Sequence, residues 1–156
     1  MVKTNAMRLL TEAGIQYDVH EYEVDENDLS GVHAAKEMNI DADQMFKTLV
    51  CKSDKGQYHV FCIPVAFELD LKKCAVVAGE KRVEMIHVKD LLPLTGYIRG
   101  GCSPIGMKKK FPTYIDETAT LWDEIYVSAG VRGQSFRLKP DDLLNYTDAK
   151  YADLVK

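Results

Sequence analysis

Two apolar segments lie close together in the chain, and their spacing restricts the fold more than any other feature. KTLVCK (47–52) and YHVFCIPV (58–65) both have the β-branched and aromatic composition of strands. The segment between them, SDKGQ, carries Gly56 and is typical of a turn. We therefore predict two strands in succession, joined by a turn with Gly56 at its tip.

Further strand and helix patterns are interspersed around this pair. Strands are predicted over YDVHEYEV (17–24), PTYID (112–116), EIYVSAG (124–130) and SFRL (135–138). Helices are predicted over residues 4–13, 32–40, 68–79, 87–94 and 140–147, with a short turn of helix over 41–46. Because helices and strands do not alternate strictly as in a parallel α/β fold, we expect an α/β (α+β) fold, a mixed β-sheet core flanked by helices.

Several helix ends carry local signals. Thr4 or Asn5 is expected to cap the first helix, and Gly14 to stop it. Pro93 is expected to close the helix at 87–94, and Pro140 to stand near the start of the last helix. The helix at 68–79 is expected to end at Gly79 and to bury Leu69, Leu71, Ala75 and Val76.

Length and composition indicate one domain over residues 1–156 and exclude several classes of protein. The chain has 46% apolar and 28% charged residues and no repeat at a fixed period, as in ordinary globular proteins. No apolar run is long enough for a membrane span, so a cytoplasmic protein is predicted. The four cysteines lack the spacing of a zinc site or a disulfide scaffold, so we expect reduced, mostly buried thiols, no metal and no cofactor.

A glycine-rich segment, TGYIRGGCSPIG (95–106), is the first candidate for a functional site. Gly100 and Gly101 leave two adjacent backbone N–H groups unencumbered by side chains, and Pro104 stiffens the turn that follows. Such a loop can form a nest of donors for an oxyanion or a carbonyl oxygen. An unusual structural loop would have the same residues.

Lys47 is the second candidate, because it begins an apolar strand in FKTLV (46–50). A lysine in this position either extends from the strand end into solvent or faces a cleft, where it holds an anionic or carbonyl oxygen. The common catalytic motifs of nucleotide-binding proteins, zinc peptidases and serine hydrolases are absent from the sequence.

Basic residues form three clusters, although the net charge of the chain is −4. If the clusters converge in space, they form a binding surface for a polyanion. If they lie on separate faces, they are ordinary solvated side chains. The clusters are Lys72 with Lys73, Lys81 with Arg82, and Lys108 with Lys109 and Lys110.

Five motifs in order resemble the YbaK/EbsC family, relatives of the editing domain of bacterial prolyl-tRNA synthetases. They are FKTLV at 46–50, ELDLKK at 68–73, TGYIRGGCSPIG followed by two lysines within 95–109, YID at 114–116 and YVSAGVRG at 126–133. The resemblance extends over residues 4–154. It implies the same mixed sheet surrounded by helices.

The resemblance implies trans-editing, the removal of cysteine from mischarged tRNA(Pro) in translation quality control. The implied substrate is the acceptor end of an aminoacyl-tRNA, with prolyl-tRNA synthetase as the working partner. The implied mechanism needs neither a metal nor a catalytic triad, because the substrate's own thiol attacks its ester and leaves as a thiolactone. Orientation alone contributes roughly 7 to 11 kcal/mol to such reactions.

Specific residues follow from the resemblance. Lys47, Gly100 and Gly101 are the expected catalytic residues, the two glycines as oxyanion donors. The expected substrate-binding residues are Tyr22, Leu29, Cys102, Ser103, Pro104 and Ser135. Ser135 stands where some relatives have an acidic residue, and Leu29 where an aromatic residue occurs.

Three alternatives remain open at this point. In the first, the chain edits another small amino acid such as alanine, since a pocket distinguishes one methylene by only about 1 to 3 kcal/mol. In the second, it is a non-catalytic tRNA-binding or regulatory module of the same fold. In the third, Cys102, near the lysines, is itself the nucleophile.

Overall fold

A computed structural model describes residues 2–156 of the protein. Five α-helices, one short 3-10 helix and eight strands follow one another within this range. In chain order they are α1 (Asn5–Glu12), β1 (Asp18–Glu21), α2 (Gly31–Glu37), β2 (Phe46–Ser53), β3 (Tyr58–Pro64), α3 (Leu71–Ala78), β4 (Val83–Met85), α4 (Val88–Thr95), β5 (Thr113–Asp116), the 3-10 helix (Glu117–Leu121), β6 (Ile125–Ser128), β7 (Gln134–Leu138), α5 (Pro140–Thr147) and β8 (Lys150–Ala152).

The strands form two sheets. The larger has the order β4-β2-β3-β5-β8, in which β2 pairs antiparallel with β3 and β4, whereas β5 is parallel to both β3 and β8. The smaller has the order β1-β7-β6 and is antiparallel throughout. An isolated bridge between Met45 and Tyr126 joins the two sheets just before β2 begins. The expectation of a mixed sheet core flanked by helices is confirmed.

Strand β3 lies at the centre of the core and is buried on both faces. Val60 and Cys62 pack towards β6, β7, α1 and α5, whereas Phe61 and Ile63 pack towards α3 and the C-terminal segment. A strand covered on both sides has no solvent face, and for this reason its sequence is a continuous apolar run. The predicted turn after β2 is confirmed, with Gly56 at a φ of 80°.

Helix α3 differs from its prediction. It begins at Leu71, because the Asp70 side chain accepts hydrogen bonds from the backbone N–H groups of residues 72 and 73. Leu69 and Ala75 are buried as expected, but Leu71 is 37% exposed and Val76 is 79% exposed. Cys74 faces the sheet, and a residue two positions later is rotated by about 200° around the helix. Burial of Val76 was therefore wrongly expected, and so was burial of Leu71, which stands at the first position of the helix.

Two further local predictions are corrected. Helix α4 continues through Pro93 and ends at Gly96, whose φ of 86° is the left-handed conformation of a C-cap. Pro93 has no N–H, so the carbonyl of Lys89, four residues earlier, lacks its helical hydrogen bond. Lys89 is exposed, and solvent can donate to this carbonyl instead. The predicted turn of helix over 41–46 is absent: residues 42–44 form a turn, in which the side chain of Asp41 accepts from the N–H of Asp43, and Met45 and Phe46 already belong to the sheet region.

Candidate functional site

A cleft of about 390 Å³ lies between strand β2, the start of α2, the start of α4 and the loop that follows α4. We call it the main cleft. Its floor is the first half of β2, residues 46–50, and the ends of β6 and β7 contribute Ser128 and Ser135. Its outer end is apolar and includes Met85, Ile86 and Val88.

The main cleft brings together six of the nine residues expected in the catalytic and substrate-binding sets. These six are Tyr22, Leu29, Lys47, Gly100, Cys102 and Ser135. The other three, Gly101, Ser103 and Pro104, are buried and do not line the cleft. The Ser103 hydroxyl accepts a hydrogen bond from the N–H of Ile105 at 3.2 Å, so it shapes the loop.

Lys47 projects from the floor as a half-buried cation. Within residues 2–156 its ammonium forms no ion pair and no hydrogen bond. Burial lowers the pKa of Lys47 below its ordinary value, and the charge of Glu68 opposes this shift only in part. An unpaired cation in a partly dry cleft is a binding site for an anionic or carbonyl oxygen.

Gly100 and Gly101 are required for different reasons. The N–H of Gly101 donates to the carbonyl of Ile98 at 3.0 Å, and Gly100 has a φ of 85°, which together define a type II turn. Gly101 packs against backbone, because a Cβ there would lie 3.0 Å from the nitrogen of Arg132. The N–H of Gly101 is thus already used, which corrects its expected role as an oxyanion donor.

The N–H groups on either side of Gly101 are the available donors. Over the described part of the chain, neither the Gly100 N–H nor the Cys102 N–H has a hydrogen-bond acceptor. Both residues line the main cleft. Gly100 is half-buried and Cys102 is buried, so these two N–H groups are the candidates for binding a ligand oxygen.

The environment of Cys102 disfavours the thiolate form that a nucleophilic role would need. Burial raises the pKa of Cys102 to about 12, with a smaller contribution from Cys62. A thiol with that pKa remains protonated at neutral pH, and only the thiolate attacks an ester. The other cysteines, Cys51, Cys62 and Cys74, are free and buried, and burial raises the pKa of each to about 12.

Ser135 presents an unsatisfied hydroxyl to the main cleft. It is 1% exposed, and among residues 2–156 its Oγ has no hydrogen-bond partner. Ser128 lies directly opposite in the β6–β7 register, but its Oγ accepts from the N–H of Gly130 at 3.2 Å. Ser135 therefore keeps both a donor and an acceptor for a bound molecule.

Arg132 contacts the loop beside the main cleft and was not among the residues predicted from the sequence. Its Nε donates to the carbonyl of Arg99 at 2.9 Å, and its Nη1 lies 3.0 Å from the carboxylate of Glu26. It thus ties the turn at Gly100 to the segment that precedes Leu29. Arg132 lies within the quoted motif YVSAGVRG, which was the available signal. Ser128, in the same motif, was also missed.

The basic clusters lie outside the main cleft. Lys73 pairs with Asp153 at 2.9 Å, Lys110 pairs with Asp148, and Lys108 donates to the carbonyl of Pro93 at 3.4 Å. These contacts occupy part of the charge expected to bind tRNA. Lys72, Lys81, Arg82 and Lys109 are exposed. A role in tRNA binding stays a prediction for all seven.

Comparison with known proteins defines the class. Residues 28–146 match the aminoacyl-tRNA editing domain, and the chain belongs to this family. It is 47% identical over 153 residues to a protein of Enterococcus faecalis named as a candidate Cys-tRNA(Pro)/Cys-tRNA(Cys) deacylase, EbsC. The match covers 98% of this chain and 93% of that protein.

Solved structures have the same fold. A candidate trans-editing enzyme for prolyl-tRNA synthetase is 27% identical, with a TM-score of 0.85 over 100% of this chain and 99% of that one. A hypothetical protein at 19% identity has a TM-score of 0.86 over 96% and 97% of the two chains and supports the fold alone. The resemblance inferred from the motifs is confirmed.

Two further properties of residues 2–156 concern metal ligands and helix hydropathy. Residues 2–156 contain no group of three or more histidine, cysteine or acidic side chains placed to hold a metal ion. Nor does any helix in this range combine the length and the hydropathy that a bilayer crossing requires.

Proposed function

We propose that this protein is a trans-editing deacylase that removes cysteine from mischarged tRNA(Pro). One observation carries the proposal: the main cleft holds an unpaired cation and polar groups without partners, while burial disfavours the thiolate of Cys102, the cysteine that lines it. Such a site can orient an ester and stabilise its oxyanion, and we assign the attack to the substrate's own thiol. The name of the relative in Enterococcus faecalis supports the choice of cysteine.

The substrate's sulfur then supplies the nucleophile. It attacks the carbonyl carbon of its own ester, the new C–S bond closes a thiolactone, and the C–O bond to the ribose breaks. The proton of the thiol ends on the ribose hydroxyl, so no atom is taken from the protein. We assign the N–H groups of Gly100 and Cys102 to the oxyanion, and Lys47 to a substrate oxygen. Replacement of that sulfur by oxygen removes the better nucleophile, so Ser-tRNA(Pro) is expected to be a much poorer substrate.

The remaining parts of the substrate follow from the shape of the main cleft. The Ser135 hydroxyl lies at its inner end, where it can hold the amino group of the cysteinyl moiety. We assign the terminal adenine to the apolar outer end, near Ile86 and Val88. We further propose that the reaction takes place in the cytoplasm beside prolyl-tRNA synthetase, the enzyme for which one structural relative is named as a candidate trans-editing partner.

The test is a deacylation assay of the purified protein with Cys-tRNA(Pro), Cys-tRNA(Cys) and Ala-tRNA(Pro), each with and without EDTA. We expect rapid release from both cysteinyl substrates and no effect of the chelator. Faster release of alanine than of cysteine would assign the main cleft to another amino acid. Binding without turnover of all three would support the regulatory alternative, and activity lost with EDTA and restored by zinc would contradict the mechanism.

A further inference from the structure

A second cleft continues from the outer end of the main cleft. It has a volume of about 250 Å³ and shares Met85, Ile86 and His87 with the main cleft. The shared residues connect β4 to α4, so the two clefts lie side by side along one segment. The second cleft is therefore the continuation for a linear molecule that extends from the main cleft past His87.

The second cleft is built on paired strands. Lys52 lies opposite Glu84 in the β2–β4 register, and the N–H of Asp54 donates to the carbonyl of Arg82 at 3.2 Å. The N–H of Ile86 donates to the carbonyl of Val50 at 3.2 Å. Because backbone hydrogen bonds hold both sides, the side chains that line this cleft have fixed points of attachment.

The charged groups in the second cleft are of both signs. Lys52 and Arg82 line it, and within the described range neither forms an ion pair. Asp54, Glu84 and Asp90 line it as well, again without ion-pair partners in residues 2–156. The Nζ of Lys52 lies 5.7 Å from the centre of the Tyr58 ring.

This mixture of charges is compatible with a single nucleotide. Cations bind the phosphate, whereas carboxylates accept hydrogen bonds from the exocyclic amine of cytosine. A long phosphate backbone would be repelled by three carboxylates in the same space. The three carboxylates do not form a metal site, because no such grouping of ligands occurs within residues 2–156.

We propose that the second cleft binds the nucleotide that precedes the terminal adenosine, the cytidine of the tRNA acceptor end. Arg82 and Lys52 hold its phosphate, and the carboxylates receive its amino group. This inference rests on the proposed function, because the adenosine has to occupy the main cleft. It gives Arg82 a different role from its neighbour Lys81, which does not line either cleft.

The experiment compares two minimal substrates, cysteinyl-adenosine and the cysteinyl ester of the dinucleotide pCpA. In the wild-type protein we expect kcat/KM at least about tenfold higher for the pCpA ester, equivalent to roughly 1.4 kcal/mol. Arg82→Ala should remove most of that advantage and leave the rate on cysteinyl-adenosine unchanged. Replacing the cytidine by uridine, as in pUpA, should cost the wild type severalfold, since the amine is lost.

The matched control is Lys150→Ala, an exposed lysine on β8 at the opposite edge of the sheet from β4. It should lower neither rate. Equal rates of the wild type on both esters, or an equal loss on both in Arg82→Ala, would overturn the second cleft as a nucleotide site. Equal rates with pCpA and pUpA would overturn the assignment of the carboxylates. If the wild type cleaves neither ester nor Cys-tRNA(Pro), the proposed function itself has failed.

A binding measurement provides a readout independent of catalysis. Titration of the protein with pCpA should shift the backbone NMR signals of residues 52–54 and 82–84, which belong to the second cleft, whereas adenosine should shift only signals of the main cleft, including those of the shared residues 85–87. The same pattern of shifts with both ligands would contradict the proposal.

Discussion

Two sides of the main cleft interact with a ligand by opposite means. We call its floor, residues 46–50 of β2, the strand wall, and the loop after α4 that contains Gly100 and Cys102 the loop wall. The strand wall offers the side chain of Lys47, which alternation along β2 leaves half-buried. The loop wall offers backbone, since Gly100 and Gly101 have no side chains and the N–H groups of residues 100 and 102 lack partners within the described chain. A strand fixes the position of a side chain, whereas a glycine turn permits close contact with the main chain. Substitutions on each side can show whether both walls are needed.

The largest effect is expected from the loop wall. Gly101→Val should reduce deacylation by at least about a hundredfold, or roughly 2.7 kcal/mol, because its Cβ would collide with backbone at residues 131 and 132 and displace the turn. The measurement is kcat/KM on Cys-tRNA(Pro), with the melting temperature recorded in parallel. Gly79→Asn is the matched control, since a Cβ there meets nothing within 4 Å and asparagine tolerates the left-handed φ of 69°. Full activity of Gly101→Val would show that the loop wall does not touch the substrate.

A smaller loss is expected from the strand wall. Lys47→Ala should lower kcat/KM by at least about tenfold, roughly 1.4 kcal/mol, because a substrate oxygen loses its cation. The variant should also be no less stable than the wild type, because it removes an unpaired charge from a partly buried position. Lys36→Ala, an exposed lysine on α2, serves as the control. Unchanged activity with an unchanged melting temperature would make Lys47 an ordinary strand-end lysine.

The lowered pKa of Lys47 gives a further test on the same wall. Its folded pKa lies below the value in the unfolded chain, so the unfolded state binds more protons between the two values. Stability should therefore rise with pH through that window, below the ordinary lysine value of 10.5. Denaturant unfolding at a series of pH values should show this rise in the wild type. In Lys47→Met the rise should be smaller, and an identical pH profile would contradict the burial of the charge.

Ser135 should have an intermediate effect, because it meets only the amino-acid part of the substrate. Ser135→Ala is expected to raise KM about three- to tenfold, through the loss of one hydrogen bond worth about 1 kcal/mol, with little change in kcat. Removing an unsatisfied hydroxyl should leave the melting temperature equal or higher. A fall in stability without a change in KM would indicate a purely structural serine.

The smallest effect belongs to Cys102, whose side chain contributes to neither wall's chemistry. Cys102→Ala should retain at least about half of the wild-type kcat/KM, because we assign the oxyanion to the N–H of this residue and not to its thiol. Mass spectrometry of the wild type during turnover should show no aminoacyl adduct. A folded but inactive Cys102→Ala together with such an adduct would establish an enzyme nucleophile.

Much of the fold followed from local sequence signals. Thr4 caps α1 through its hydroxyl, and Gly79 ends α3 in a left-handed conformation with φ of 69°, as predicted. These features depend on hydrogen bonds and φ preferences within a few residues. The predicted burial of Leu71 and Val76 failed because it required knowledge of which side of α3 meets the sheet. That orientation depends on packing against Leu154 and Phe61, which are distant in sequence.

The sequence by itself determined the family, the mixed sheet and the position of Lys47 at the start of a strand, because motifs and periodicity are properties of short segments. Only the tertiary structure decided which groups are free to bind. The N–H of Gly101 donates to the carbonyl of Ile98, so it is not free for a ligand. Arg132 joins the loop to Glu26, which lies 106 residues away in sequence. The hydroxyl of Ser135 has no hydrogen-bond partner within residues 2–156. Whether a polar group is satisfied depends on every segment packed around it, and this assembly brings together residues from most of the chain.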